Sequence, residues 1–143
     1  MTKRIMVDMS ATLIHHGHIR LLKKASELGE VVVGLTADDE IISKKGYQPE
    51  LDFEHRKEIL ESIKYVDEVY MYQTEDELVD LIKFFKPDVR ILGEDYIGKP
   101  FTGDDLPPEV VYTTRSHEWS TTKIKDLITL QTIKQNPKLL ENE

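Results

Sequence analysis

Short apolar runs alternate with amphipathic stretches along most of this chain. Ile5 to Asp8 is short and largely apolar and predicts a first strand. Ile19 to Leu28 follows with a helical period: Leu21, Leu22, Ala25 and Leu28 share one face, while Arg20, Lys23, Lys24 and Glu27 are polar. Gly29 is a suitable stop. Val31 to Leu35 is almost continuously apolar, as in a parallel strand covered on both faces. A short helix is expected over Asp38 to Ser43, then a loop over Lys44 to Pro49 punctuated by Gly46 and Pro49.

The pattern then repeats. A helix is predicted from about Phe53 to Ile63, with Ile59, Leu60 and Ile63 turned inward, and a strand from Val66 to Tyr72. Thr74 to Phe85 reads as a helix with Thr74 as N-cap, Glu77 as its capping-box partner and Pro87 as its stop. Val89 to Leu92 is a further strand. Gly93 to Pro108 is the least regular stretch and reads as a long functional or surface loop. Val110 to Tyr112 is a brief strand. The last helix begins after Ser120 and runs past Ile128 into a polar, frayed tail.

Five strands separated by helical crossovers predict an α/β domain of the Rossmann-like, doubly wound kind. Its sheet would be mostly parallel, with helices on both faces. The 143 residues suffice for one domain, with a core over 4–128 and a C-terminal helix or tail over 129–143. In such a fold, ligands bind beyond the carboxyl ends of the strands, where the strand order reverses. His15 to His18, Gly93 to Tyr96 and Arg115 to Thr122 all follow strand ends and should gather on one edge.

Composition narrows the partners. A formal net charge of −8 argues against broad binding to nucleic acid or to anionic lipid. No segment has the length and apolarity of a membrane span. Cysteine is absent, so thiolate chemistry is excluded and nothing points to secretion. A cytoplasmic location and no signal peptide are the expectation. A small anionic ligand stays compatible with an acidic protein that has a local basic pocket.

Four groups could carry chemistry. The first is His15-His16-Gly17-His18, which holds three of the five histidines. His15 and His18 can share a side of a helix start, where imidazoles and backbone N–H groups suit phosphate. A zinc site with Asp8, His55 or His117 and a purely structural role are the alternatives. The second is Arg115 to Ile124, where Ser120, Thr121 and Thr122 crowd a helix start beside the donor fork of Arg115. Ordinary capping by Ser120 is the competing reading. Trp119 could stack on a base or cap the core.

The third group is Lys44, Lys45 and Arg56. The lysines could close over a polyphosphate or be solvated surface. Arg56, between Glu54 and Glu58, could form a surface ion pair instead. The fourth is Gly93-Glu94-Asp95-Tyr96, which could read a base, orient an amine, hold Mg²⁺ or merely aid solubility. No Ser-His-Asp arrangement, G-x-G-x-x-G turn or Walker lysine motif is present.

These motifs resemble the H-x-G-H nucleotidyltransferases, especially the glycerol-3-phosphate cytidylyltransferase type. His15-His16-Gly17-His18 resembles the first motif. Arg115 with Ser120-Thr121-Thr122-Lys123-Ile124 is similar to the second, Gly93-Glu94-Asp95-Tyr96 to the segment between them, and Glu54-His55-Arg56 to the E-x-R of the middle helix. The resemblance implies that a phosphate or phosphonate oxygen attacks the α-phosphorus of a nucleoside triphosphate, CTP by preference, and that pyrophosphate leaves. It implies that Met9, Ser10, Gly17, His18, Asp95, Arg115, Ser120, Thr121 and Thr122 bind the nucleotide. His15, His18, Lys44 and Arg115 would be catalytic. Lys44, Lys45 and Arg56 would hold the acceptor or, for Arg56, organise the loop. Mg²⁺ would accompany the triphosphate, and relatives suggest a homodimer.

The chain also departs from that pattern. Met9-Ser10-Ala11-Thr12 stands where the family commonly has G-[TC]-F-D, and Ser116 and Glu118 replace a threonine and a glycine. The form from Asp8 to His18 is similar to cytidylyltransferase domains of phosphonate pathways, which activate aminoethyl- or hydroxyethylphosphonate. ATP-dependent adenylyl transfer to a phosphorylated sugar or cofactor precursor is one alternative. A nucleotide-binding subunit with weakened catalysis is another.

Overall fold

A computed structural model describes residues 2–113 and 120–140. Arg115, Ser116, His117, Glu118 and Trp119 lie outside the described residues. The elements in chain order are β1 (Arg4–Met9), α1 (His16–Leu28), β2 (Glu30–Thr36), α2 (Asp38–Lys45), α3 (Phe53–Glu61), β3 (Glu68–Tyr72), α4 (Glu75–Phe85), β4 (Val89–Gly93), β5 (Glu109–Thr113) and α5 (Thr121–Gln135). Short 3₁₀ turns cover Glu94–Tyr96 and Pro137–Leu140.

The strands form one sheet in the order β3-β2-β1-β4-β5, and every pairing is parallel. Side-chain alternation along β1 builds a two-sided core. Ile5 and Val7 pack with Leu22 and Ala25 of α1 and Leu60 of α3. Met6, between them, points to the other side and packs with Leu78 and Ile82 of α4 and with Tyr72. Helices therefore cover both faces, as the doubly wound reading requires. The order reverses between β1 and β4, which places the expected ligand crevice beyond Met9 and Gly93.

Several boundaries differ from the sequence expectation. Helix α1 starts at His16, not Ile19, because His15 serves as its N-cap. Lys44 and Lys45 belong to the last turn of α2 rather than to a loop, and the helix ends at Gly46 with φ 78°. Ile59 is 39% exposed, so only Leu60 and, in part, Ile63 of the predicted stripe face the core. β3 begins at Glu68 because the chain before it is still turning: the Val66 amide donates to Ile63 O. The last helix runs past Ile128, as expected, and ends at Gln135.

Candidate functional site

Two helix N-termini meet beside the end of β1. At the first, the imidazoles of His15 and His18 form a reciprocal cap. His15 Nδ1 accepts from the Gly17 amide at 3.0 Å, and His18 Nδ1 accepts from the His15 amide at 3.1 Å. The rings lie 4.2 Å apart, tilted by 49°. An Nδ1 that accepts carries no proton, so each neutral ring has its N–H at Nε2. The cap thus fixes both tautomers and makes Nε2 the donor edge of each ring. This is the chemistry a capping box ordinarily gets from Ser and Glu. Histidine is not among the favoured cap residues, so the apolar period alone places the helix start at Ile19.

The second N-terminus is that of α5. Ser120 caps it, accepting from the Lys123 amide at 3.0 Å. The Thr121 hydroxyl donates to Leu13 O at 3.2 Å, tying α5 to the loop that leads into α1. Residues more than a hundred positions apart are thereby joined, as the fold argument required. Thr122 is exposed on the first turn of α5.

A cavity of about 530 Å³ opens at the end of β1, and neither the histidine cap nor Ser120, Thr121 and Thr122 is among its lining residues. Met9, Ser10, Lys44, Lys45, Tyr96, Phe101 and Thr102 are among the residues that line it. Lys44 Nζ pairs with Glu75 Oε1 and lies 4.0 Å from Glu40. Buried Arg90 reaches in from β4: Nη2 donates to Asp8 at 3.0 Å and Nη1 to Thr102 O at 2.6 Å. Gly103 is needed beside it, since a Cβ there would sit 2.8 Å from Arg90 Nη1 and φ is 80°.

Tyr72 lines the same cavity, with its hydroxyl 2.7 Å from that of Thr36. Burial pushes its phenol up to about 12, and the charges of Asp8 and Glu40 act in the same direction. Tyr72 is therefore a neutral hydroxyl at working pH.

Arg56 is neither the surface ion pair nor an open phosphate ligand. Its side chain is fully buried. It donates to Leu51 O, Ser10 O and Thr36 O and pairs with Asp38 at 2.6 Å. Those bonds fasten the end of β1 to the end of β2. Asp95 lies exposed on the turn after β4, while Gly17 is buried in α1. The region after α2 is clamped to α5 by Lys125, which binds Glu50 at 2.8 Å and sits 4.3 Å above the Tyr47 ring.

Of the residues considered for a zinc site, His117 lies outside the described residues. Among the described residues, no group of three or more His, Cys, Asp or Glu is placed to hold a metal ion. Asp8 is committed to Arg90, and His55 to Asp52. Sequence reasoning passed over Tyr72, Glu75, Arg90 and Thr102. Arg90, the charged residue in an otherwise apolar strand, was the one readable signal among them.

The sequence model of the cytidylyltransferase-like family matches residues 10–127. This chain belongs to that family. It is 39% identical over 127 residues to the glycerol-3-phosphate cytidylyltransferase of Bacillus subtilis, covering 88% of this chain and 97% of the relative. It is also 42% identical over 104 residues to an FAD synthase of Pyrococcus horikoshii, covering 72% and 68%. Among solved structures, a lipopolysaccharide core biosynthesis protein from Thermoplasma volcanium superposes with a TM-score of 0.69 at 24% identity. That match covers 82% of this chain and 100% of the other, and it speaks to the fold alone. The family match starts at Ser10, so it takes in the reciprocal histidine cap, both lysines and the α5 N-terminus. No described helix of this family member is long and apolar enough to cross a membrane.

Proposed function

We propose that this protein transfers a cytidylyl group from CTP to a small acceptor bearing a phosphate or phosphonate, releasing pyrophosphate. The observation that carries the reading is the reciprocal His15–His18 cap, joined to the α5 N-terminus through Thr121 and Leu13. That arrangement brings two imidazoles and the positive N-terminal ends of α1 and α5 to one region. The neighbouring lysine-walled cavity supports an acceptor site beside it. The curated cytidylyltransferase relatives support CTP as the nucleotide.

In this mechanism an acceptor oxygen attacks the α-phosphorus in line with the leaving pyrophosphate. The new P–O bond forms as the bond to the β-phosphate bridging oxygen breaks, and no group on the protein is modified. Catalysis is positioning and charge stabilisation. His15 and His18 donate to the oxygens on which negative charge accumulates. Lys44 and Lys45 hold the acceptor phosphate. Ser120, Thr121 and Thr122 present the α5 terminus to the outer phosphates, with Arg115. Asp95 contacts the cytosine amino group. Arg56 acts indirectly, by holding the Ser10 and Thr36 carbonyls. Asp8 is taken by Arg90, and no ready cation cage exists among the described residues. A Mg²⁺ accompanying the triphosphate would supply charge neutralisation at its phosphates.

Pyrophosphate release, measured with each of the four nucleoside triphosphates against glycerol 3-phosphate and short phosphonates, tests the reading. CTP-dependent release is expected, and silence with every pair overturns it. ATP-dependent release would instead support adenylyl transfer, the reading that the FAD synthase relatives favour. A homodimer is proposed on the same footing, with light scattering as its test.

A further inference from the structure

We infer that Glu75 selects the acceptor, by taking up a hydrogen-bond-donating group two or three atoms from the phosphorus, an ammonium before a hydroxyl. The inference rests on the cavity being the acceptor site, as proposed above.

Two carboxylates line the cavity, and they are held differently. Asp8 pairs with Arg90, which is 2% exposed and also anchors Thr102. That pair is part of the wall. Glu75, the first residue of α4, pairs with Lys44, whose side chain is 44% exposed on a flexible stem. Its second oxygen accepts from the Thr102 hydroxyl at 2.6 Å. The Lys44–Glu75 pair is therefore the one able to rearrange.

An acceptor phosphate that engages Lys44 competes with Glu75 for the same ammonium. It brings a dianion close to a carboxylate, and like charges at that separation repel. Thr102 offers Glu75 one neutral hydrogen bond and no charge. A donor on the acceptor itself removes the conflict, and a cationic donor does so best. The surroundings favour that choice: the rings of Tyr72, Tyr96 and Phe101 line the same cavity and suit a cation. Lys44 Nζ and Glu75 are in direct contact, so phosphorus and donor group are spanned by a short chain. A carboxylate here also penalises acceptors that have a bare alkyl group or a second anion at that position.

Ethylphosphonate, 2-hydroxyethylphosphonate and 2-aminoethylphosphonate differ only at the group concerned. Calorimetric titration of each, with CTP present, reads the selection without requiring turnover. The wild-type chain should bind the amino compound at least tenfold more tightly than the hydroxy compound, and ethylphosphonate most weakly. Glu75→Gln should bring amino and hydroxy affinities within about threefold of each other while keeping the hydroxy affinity. Glu75→Ala should lose the preference too, and Thr102→Val should keep it. Equal affinities in the wild type, a preference that survives Glu75→Gln, or no binding of any of the three overturns the inference. Pyrophosphate release in the same samples separates the two ideas. Selective binding without turnover leaves acceptor selection standing and overturns cytidylyl transfer. Turnover without selectivity does the reverse.

Discussion

Arg90 of β4 and Asp8 of β1 pair across the seam where the strand order reverses, with Nη2 3.0 Å from Oδ1. The same guanidinium donates to Thr102 O and lies 5.6 Å from the Phe101 ring. One buried side chain thus fixes the sheet at the ligand crevice and holds the irregular 93–108 segment over the cavity.

Replacement of Arg90 by Leu should therefore do two things. It strands the Asp8 carboxylate and the Thr102 carbonyl, which costs about 3 kcal/mol. The figure is at the low end for a broken buried pair because Asp8 is 21% exposed and can be partly hydrated. It also releases residues 101–103, so amide exchange there should accelerate beyond what the global loss explains. Urea unfolding and hydrogen exchange are the measurements. An unchanged midpoint would show that the pair contributes nothing net.

The histidine cap makes structural and chemical roles separable. Asn is a good N-cap and lacks the imidazole Nε2 donor. His15→Asn should leave unfolding within about 0.5 kcal/mol of wild type, whereas His15→Ala should lose about 1 kcal/mol. Both should lower the rate of pyrophosphate release by about 10²-fold or more if Nε2 meets the transition state. Full activity in His15→Asn would reduce His15 to a cap.

Tyr72 gives a stability prediction at alkaline pH. Its phenol is raised to about 12 in the folded chain, against about 10 when unfolded. The folded state holds the proton more tightly. Its contribution is therefore complete below pH 10 and is lost as pH climbs from about 10 to 12. A shift of that size corresponds to about 2 to 3 kcal/mol. Tyr72→Phe should flatten the fall in stability over that window, as read from urea midpoints at a series of pH values. A parallel decline in both proteins would assign the alkaline loss elsewhere.

The fold was legible because each strand and most helices carry their own period. Val31 to Val33 and Leu35 are buried on both sides of the sheet and read as a continuous apolar run. His15-x-Gly17-His18 and Ser120-Thr121-Thr122 were legible as a pair, since a parallel sheet returns every strand end to one edge. What escaped was set by tertiary contact. Nothing local to Glu75 shows that Lys44 and Thr102 meet on it. Nothing local to Arg56 distinguishes a solvated arginine between two glutamates from one whose acceptors come from residues 10, 36, 38 and 51. Ala11, buried with φ 46°, is similarly silent in sequence, because alanine carries no signature of a left-handed turn.

Arg56 supplies the sharpest test of positioning against binding. Its planar donor fork meets three carbonyls and a carboxylate at once. A lysine keeps the charge but has one point-like head, so it cannot span those acceptors. Arg56→Lys should leave buried carbonyls of Ser10 and Thr36 short of donors and cost about 3 kcal/mol. Because Ser10 lines the cavity, kcat should fall while the acceptor KM changes little. A direct phosphate ligand would behave oppositely. The lysine would still pair with phosphate, stability would be retained, and KM alone would rise. Urea unfolding alongside steady-state kinetics of this one variant decides between the two roles.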